Sequence, residues 1–167
     1  MKSGSGKTRM GPVKEVSMKT IGCLLSAFLV LLLAAPGRSA IPAGAEEPNH
    51  VSVQHILIAF KGSIPKPSVT RSKGEAKELA EEVFKRAQQG EDFDALVKQY
   101  TDDEYPGIYH ISNKGIPPDQ GKPEYPREGM VKGFGDVSFS LSVGGIGMAK
   151  YDSETSKYGW HIIKRVK

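Results

Sequence analysis

Two histidines and an acidic run carry the side chains of this sequence that could do chemistry together. His55 and His161 lie in β-rich segments near the two ends of residues 46–167, and residues 102–104 form the acidic run between them. If the two segments are neighbouring strands, the imidazoles of His55 and His161 come close to each other. A histidine on a strand is also often a core residue, and an acidic run is often a solvated loop.

A metal site is not expected from these residues. The chain has four histidines, but His50 and His55 are five residues apart, which places them on opposite faces of a strand. The single cysteine, Cys23, lies in an N-terminal segment that export would remove. The sequence therefore predicts no metal and no cofactor.

Two segments predict the strands that position the histidines. Residues 51–60 are β-rich and apolar on both faces, which is typical of a strand covered on both sides. Residues 159–166 alternate in the same way and predict the last strand. The helical pattern between them favours an α+β fold in which the first and last strands lie side by side at the sheet centre. That pairing would bring His55 and His161 together.

The middle of the chain predicts two helices followed by irregular structure. Ser72 and Glu75 form a capping box before an apolar stripe that ends at Gly90, and Asp92 can cap a second, shorter helix. Residues 105–147 contain five prolines and nine glycines, so no long helix is expected there. We expect loops and one short strand in this part, then a helical turn near residues 134–141 and a short strand at residues 146–150.

The basic character of the chain belongs to its first 45 residues. Residues 1–45 contain six basic residues and one acidic residue, whereas residues 46–167 have a net charge of −1. A basic start, an uncharged apolar run at residues 21–35 and an Ala-x-Ala site at residues 43–45 predict an export signal. The folded domain is then residues 46–167, and nucleic-acid binding is not expected.

An uncleaved membrane anchor is the alternative interpretation of the leader. The apolar run has 15 residues, fewer than the roughly 20 that a membrane-spanning helix needs. Met18 also offers a second possible start, which would give a shorter signal. Membrane association is expected only if the leader is retained.

Five short motifs resemble, in order and at workable spacings, those of the parvulin-type (PpiC, or rotamase-like) peptidyl-prolyl cis-trans isomerases. The resemblance covers roughly residues 50–166. The motifs are VQHILI at residues 53–58, GEDFDAL at 90–96, YTDD at 100–103, GMVKGF at 129–134 with FSL at 139–141, and GWHII at 159–163. The resemblance implies an α+β fold with a small, mostly antiparallel four-stranded sheet flanked by about four helices.

The resemblance also implies roles for individual residues. His55 and His161 match a hydrogen-bonded histidine pair under the catalytic cleft, and Asp103 matches a Cys-or-Asp position beside the prolyl bond. These three residues are the predicted catalytic set. The predicted substrate-binding residues are Met130 and Phe134 as walls of the proline pocket, Tyr109 in place of a family leucine, and Ser156 where a threonine often tunes the histidines.

Residues 106–127 depart from the family pattern. The segment after the acidic run matches only in part, and the stretch from Asn113 to Arg127 is longer than usual. The resemblance therefore predicts a prolyl isomerase that assists the folding of exported proteins, without a covalent step. The alternative is a non-catalytic peptide-binding chaperone or scaffold module with the same fold.

The expected partners are proline-containing polypeptides, and the expected state is a monomer. The expected location is periplasmic or extracellular, or membrane-anchored if the leader remains.

Overall fold

The computed structural model describes residues 46–167. The predicted export signal, its cleavage site and the possible anchor lie outside the described residues. The strands are β1 (His50–Ile58), β2 (Ile108–Ser112), β3 (Glu124–Pro126), β4 (Ile146–Ala149) and β5 (Trp160–Arg165). The helices are α1 (Lys73–Gln88), α2 (Phe93–Tyr100) and α3 (Lys132–Ser140), with a 3₁₀ turn at Arg127–Gly129.

The strands form one sheet with the order β3-β2-β1-β5-β4. The first and last strands are therefore neighbours at the centre, as the sequence predicted. They pair antiparallel, with His55 opposite Ile163 and Leu57 opposite His161. β3 pairs with β2 in parallel, whereas the other neighbours are antiparallel.

The prediction of four strands and about four helices was wrong for both numbers. Residues 46–167 contain a five-stranded mixed sheet and three α-helices, and the remaining helical element is the 3₁₀ turn. The additional strand, β3, has only three residues and ends at Pro126. Glutamate and proline are poor strand formers and three residues show no alternation, so the sequence pattern carried no signal for it.

The two helix caps that the sequence predicts are present in the structure. The Ser72 hydroxyl accepts from the Glu75 backbone N–H (3.2 Å), and the Glu75 carboxylate accepts from the Ser72 N–H (2.7 Å). Asp92 caps α2 by accepting from the Ala95 N–H (2.7 Å). Each cap satisfies backbone donors that have no partner inside the helix.

The central strands present two different faces. On the helix face, Ile56, Ile58, Trp160 and Ile162 pack against α1 and α2 in an apolar core. On the cleft face, Val51, Val53 and Ile163 pack against α3 and β2. Because side chains alternate along a strand, His55 and His161 lie on the cleft face. Within residues 46–167, no helix is long and apolar enough to cross a membrane.

Candidate active site

The two histidines lie on neighbouring strands in the floor of a cleft. Their ring centroids are 5.6 Å apart and the rings are nearly parallel, at 15°. Both side chains are buried. The expected hydrogen bond between the two imidazoles is not formed, and the rings are stacked instead. Neither nitrogen of His161 has a hydrogen-bond partner among residues 46–167.

Asp103 is positioned by backbone pairing at the end of β1. The Asp102 N–H donates to the Leu57 carbonyl (2.8 Å), and the Leu57 N–H donates to the Thr101 hydroxyl (3.2 Å). The same hydroxyl accepts from the Asp103 N–H (3.2 Å). The segment after α2 is therefore fixed against β1, and Asp103 comes to lie beside His55.

The acidic run separates into two kinds of carboxylate. Asp102 accepts from the Arg71 guanidinium and from the Ala59 N–H, so it ties the loop after β1 to the end of α2. Asp103 lies beside His55 in the cleft, where a third of its side chain is exposed, compared with a tenth for Asp102. This contrast gives Asp102 a structural position and Asp103 a position from which it can meet a ligand.

The Asp103 carboxylate accepts two side-chain hydrogen bonds at one oxygen. Its Oδ2 accepts from His55 Nε2 (3.0 Å) and from the Tyr109 hydroxyl (2.8 Å). The bond from His55 is the main reason that the pKa of Asp103 falls to about 2, and partial burial opposes it. Asp103 is therefore a carboxylate anion at neutral pH.

Tyr109 reaches Asp103 from β2. The strand begins after Gly107, which has a φ of +67° and packs directly on β1. The His55 N–H donates to the Gly107 carbonyl (2.9 Å), and a Cβ at Gly107 would lie 2.6 Å from the His55 carbonyl oxygen. Burial and the Asp103 charge raise the pKa of Tyr109, so its hydroxyl keeps the proton that it donates.

An aromatic cluster forms the apolar part of the floor. The ring of Phe134, at the start of α3, meets His55, His161 and Tyr109 edge-on at centroid distances of 5.1, 5.5 and 5.7 Å. Met130 follows the 3₁₀ turn and lines the cleft beside it. The structure thus brings together the two histidines, Asp103 and three of the four predicted substrate-binding residues.

Ser156 is the predicted site residue that lies outside the cleft. It is buried, and its hydroxyl donates to the Gly159 carbonyl (3.0 Å). This bond closes the turn before β5. The Ser156 hydroxyl makes no hydrogen bond to either imidazole, and its tuning of the histidines stays a prediction.

The cleft has a volume of about 620 Å³ and a second wall that sequence reasoning missed. That wall comes from the loop after β1 and from the turn before β5. Its side chains are Ile64, Pro65, Lys66 and Tyr158. Two prolines marked the loop in the sequence, but nothing in its local pattern showed that it folds back over the histidines.

Burial controls the charge of His161. Removal from water is the main reason that its pKa falls to about 3, and repulsion from a charged His55 adds to the effect while Asp103 opposes it. His161 is therefore neutral at physiological pH. The cleft floor combines one neutral imidazole, one imidazole bonded to a carboxylate, and an apolar aromatic ring.

Comparisons with known proteins agree with this architecture. The model of the PpiC-type peptidyl-prolyl isomerase domain matches residues 41–167. Chaperone SurA of Pseudomonas fluorescens is 33% identical over 122 residues, which are 72% of this chain and 24% of that protein. Foldase protein PrsA of Caldanaerobacter subterraneus is 36% identical over 85 residues, 51% of this chain and 24% of that protein.

Solved structures show the same fold. A solution structure of TbPIN1 superposes with a TM-score of 0.53 at 22% identity, covering 72% of this chain and 99% of that chain. Peptidyl-prolyl isomerase ESS1 from Candida albicans gives a TM-score of 0.51 at 20% identity, covering 74% and 66%. The chain spans about a quarter of the length of the curated relatives that it matches. With its parvulin-like fold and a family match across most of its length, the chain belongs to the PpiC-type peptidyl-prolyl isomerase domain family.

Proposed function

We propose that this chain is a peptidyl-prolyl cis-trans isomerase that rotates X-Pro bonds without a covalent step. The observation that carries the proposal is the placement of one ionised carboxylate, Asp103, beside an apolar aromatic floor in a single cleft. Family membership supports the same reaction.

The energy that such an enzyme must supply is modest. Rotation about a peptide bond has a barrier of about 18–20 kcal/mol because amide resonance resists it. A 10⁴-fold acceleration requires a reduction of about 5.4 kcal/mol. An apolar pocket can hold the proline ring, and a nearby charge can weaken the amide resonance. Interactions of these two kinds can supply a reduction of this size.

Phe134 and Met130 are the proposed walls of the proline pocket. Phe134 is buried and held by three aromatic neighbours, so it presents a fixed apolar surface to a pyrrolidine ring. The cleft of about 620 Å³ is larger than one such ring. The remaining space lies toward Ile64 and Tyr158 and would receive the residues that flank the proline.

Asp103 is the proposed electrostatic group. Amide resonance places negative charge on the carbonyl oxygen, and a nearby carboxylate disfavours that charge separation. The C–N bond then rotates more easily. A nucleophilic role is less suitable, because Asp103 Oδ2 already accepts two hydrogen bonds, which lowers its tendency to attack a carbonyl.

The histidines are proposed to support this carboxylate from below. His55 donates Nε2–H to Asp103 and so fixes one end of the carboxylate. His161 stacks on His55 and stays neutral, which limits the positive charge in the floor. A positive charge on His161 would offset the field of Asp103 at the substrate.

The proposed substrates are proline-containing segments of exported polypeptides. The names of the relatives, a chaperone and a foldase, support a role in protein folding. The leader at residues 1–45 supports a periplasmic or extracellular location, with a membrane-anchored form if the leader is retained. Sequencing the N-terminus of protein from its native host tests this: a start near residue 46 supports export, and an intact leader supports the anchored form.

A refolding assay tests the proposed activity. X-Pro isomerisation is slow enough to limit the folding of a protein with non-native proline isomers. We expect catalytic amounts of this chain to speed the slow refolding phase of such a protein, and Asp103→Ala to remove the effect. An unchanged slow phase would contradict the proposal.

One observation favours the alternative of a peptide-binding module without turnover. The Tyr109 hydroxyl donates to the same oxygen of Asp103 as His55 does, and this second hydrogen bond reduces the negative charge available to a substrate. Titration with a proline-containing peptide distinguishes the two functions. Both predict saturable binding, whereas only the isomerase accelerates cis-trans exchange.

A further inference from the structure

We propose that Tyr109 is a positioning residue for the reaction, because its hydroxyl holds the Asp103 carboxylate in one orientation. The inference rests on the proposed isomerase function. It assigns Tyr109 a polar role in addition to its place in the pocket wall.

The orientation follows from two donors that approach one oxygen from different strands. His55 Nε2 comes from β1 and the Tyr109 hydroxyl from β2, at 3.0 and 2.8 Å from Asp103 Oδ2. β1 and β2 are hydrogen-bonded neighbours, with Tyr109 opposite Val53. Two donors on a common rigid sheet restrict rotation of the carboxylate more than one donor does.

The Tyr109 ring is itself held in place. It packs edge-on against His55 and Phe134, with centroid distances of 5.1 and 5.7 Å. These contacts fix both ends of the side chain, since the ring is packed and the hydroxyl is bonded. The donor is therefore present at Asp103 before a substrate arrives, which is the arrangement that electrostatic catalysis requires.

The titratable and charged groups around Asp103 come from several elements. They are His55 of β1, Tyr109 of β2, His161 of β5, Lys66 of the loop after β1, and the flanking Asp102 and Glu104. Lys66 donates to the Asp102 backbone carbonyl (2.9 Å), and Asp102 is paired with Arg71. The side-chain hydrogen bonds to the Asp103 carboxylate come from His55 and Tyr109.

The test is the substitution Tyr109→Phe in the full chain, which keeps the ring and removes the hydroxyl. Carbon-13 NMR of the Asp103 carboxyl group follows its titration from pH 6 downward. Loss of one hydrogen bond to the charged form is expected to raise the titration midpoint by about one pH unit. The matched control is Tyr125→Phe, because the Tyr125 ring lies 5.9 Å from that of Tyr109 and half of the residue is exposed.

Isomerase kinetics at pH 7 supply the second readout. We expect kcat of Tyr109→Phe to fall several-fold with KM unchanged, since the pocket wall remains, and Tyr125→Phe to match the wild type. An unchanged Asp103 midpoint, or a kcat that rises in Tyr109→Phe, would overturn the inference. If Tyr109→Phe shifts the Asp103 titration midpoint but the wild-type chain does not accelerate cis-trans exchange, the proposed function is refuted. The hydrogen bond between Tyr109 and Asp103 is then still established.

Discussion

The helix face and the cleft face of the same two strands have different compositions and different degrees of packing. On the helix face, Ile56 and Ile162 are fully buried between the sheet and two helices. On the cleft face, the neighbouring positions hold His55 and His161 in the floor of the cleft. Both faces contain a buried apolar core, but the polar groups of the candidate site lie only on the cleft face. Substitutions at Ile162 and at the polar cleft residues should therefore affect different measurements.

The largest expected effect is on stability, from a substitution on the helix face. Ile162→Ala removes a fully buried side chain and leaves a cavity, which should lower the free energy of unfolding by about 2–5 kcal/mol. Chemical denaturation measures the loss, and Val143→Ala at an exposed position should stay within about 0.5 kcal/mol of the wild type. A large fall in kcat/KM, measured per folded molecule of Ile162→Ala, would show that a substitution on the helix face also affects catalysis.

The next effect is on catalysis, from a substitution on the cleft face. Asp103→Ala removes the proposed charge and should lower kcat/KM by about 100-fold, the size found when one preorganised electrostatic group is lost. The free energy of unfolding should fall by less than in Ile162→Ala, because water at this partly exposed position can replace part of the lost hydrogen bonds from His55 and Tyr109.

Asp103→Asn is the matched control for charge, since it keeps the shape of the side chain. It should lose most of the same activity. Wild-type kcat/KM in Asp103→Asn would show that the charge of Asp103 is not what the reaction uses.

The pH dependence of stability should report the buried imidazole. The folded pKa of His161 is about 3 and its ordinary value is 6.5, so the unfolded chain binds more protons below pH 6.5. Stability should then fall as the pH decreases from 6.5, by at most about 1.4 kcal/mol per pH unit for this group.

Chemical denaturation between pH 6.5 and 5 separates the effect of His161 from the contribution of Asp103 to stability. The pKa of Asp103 falls from 3.8 to about 2, so its contribution to stability is lost only as the pH drops through that lower range. His161→Gln should flatten the dependence above pH 5. An equally steep slope in His161→Gln would assign the proton uptake to another group.

The smallest expected effect concerns Ser156. Its buried hydroxyl donates to the Gly159 carbonyl, so Ser156→Ala should cost about 1 kcal/mol of stability. Because the residue lies outside the cleft, kcat/KM should not change. A large fall in kcat/KM with stability preserved would restore Ser156 to the site.

The sequence predicted the features that depend on local capping signals and on the alternation of side chains along a strand. The capping box at Ser72 and Glu75 is a local signal, and both of its bonds are present. Alternation placed His55 and His161 on one face, and the central pairing of the first and last strands then brought them together. Both results depend on the period of a strand, which is fixed by the backbone.

Other parts of the site depend on contacts that no local pattern encodes. The bond from Tyr109 to Asp103 requires β2 to lie against β1 in one register, which Gly107 permits by its close approach. The second cleft wall requires a proline-containing loop to fold back over the floor. The orientation of the two imidazoles is decided by ring packing, so stacking in place of a hydrogen bond could not be predicted from their spacing.

Exchange spectroscopy on Suc-Ala-Xaa-Pro-Phe-type peptides, with several residues at Xaa, tests the central claim most directly. The prediction is accelerated cis-trans exchange with the wild-type chain, a rate that depends on Xaa, and loss of the acceleration in Asp103→Ala. Peptide signals that shift on binding while exchange stays at its uncatalysed rate would contradict the claim and favour a peptide-binding module.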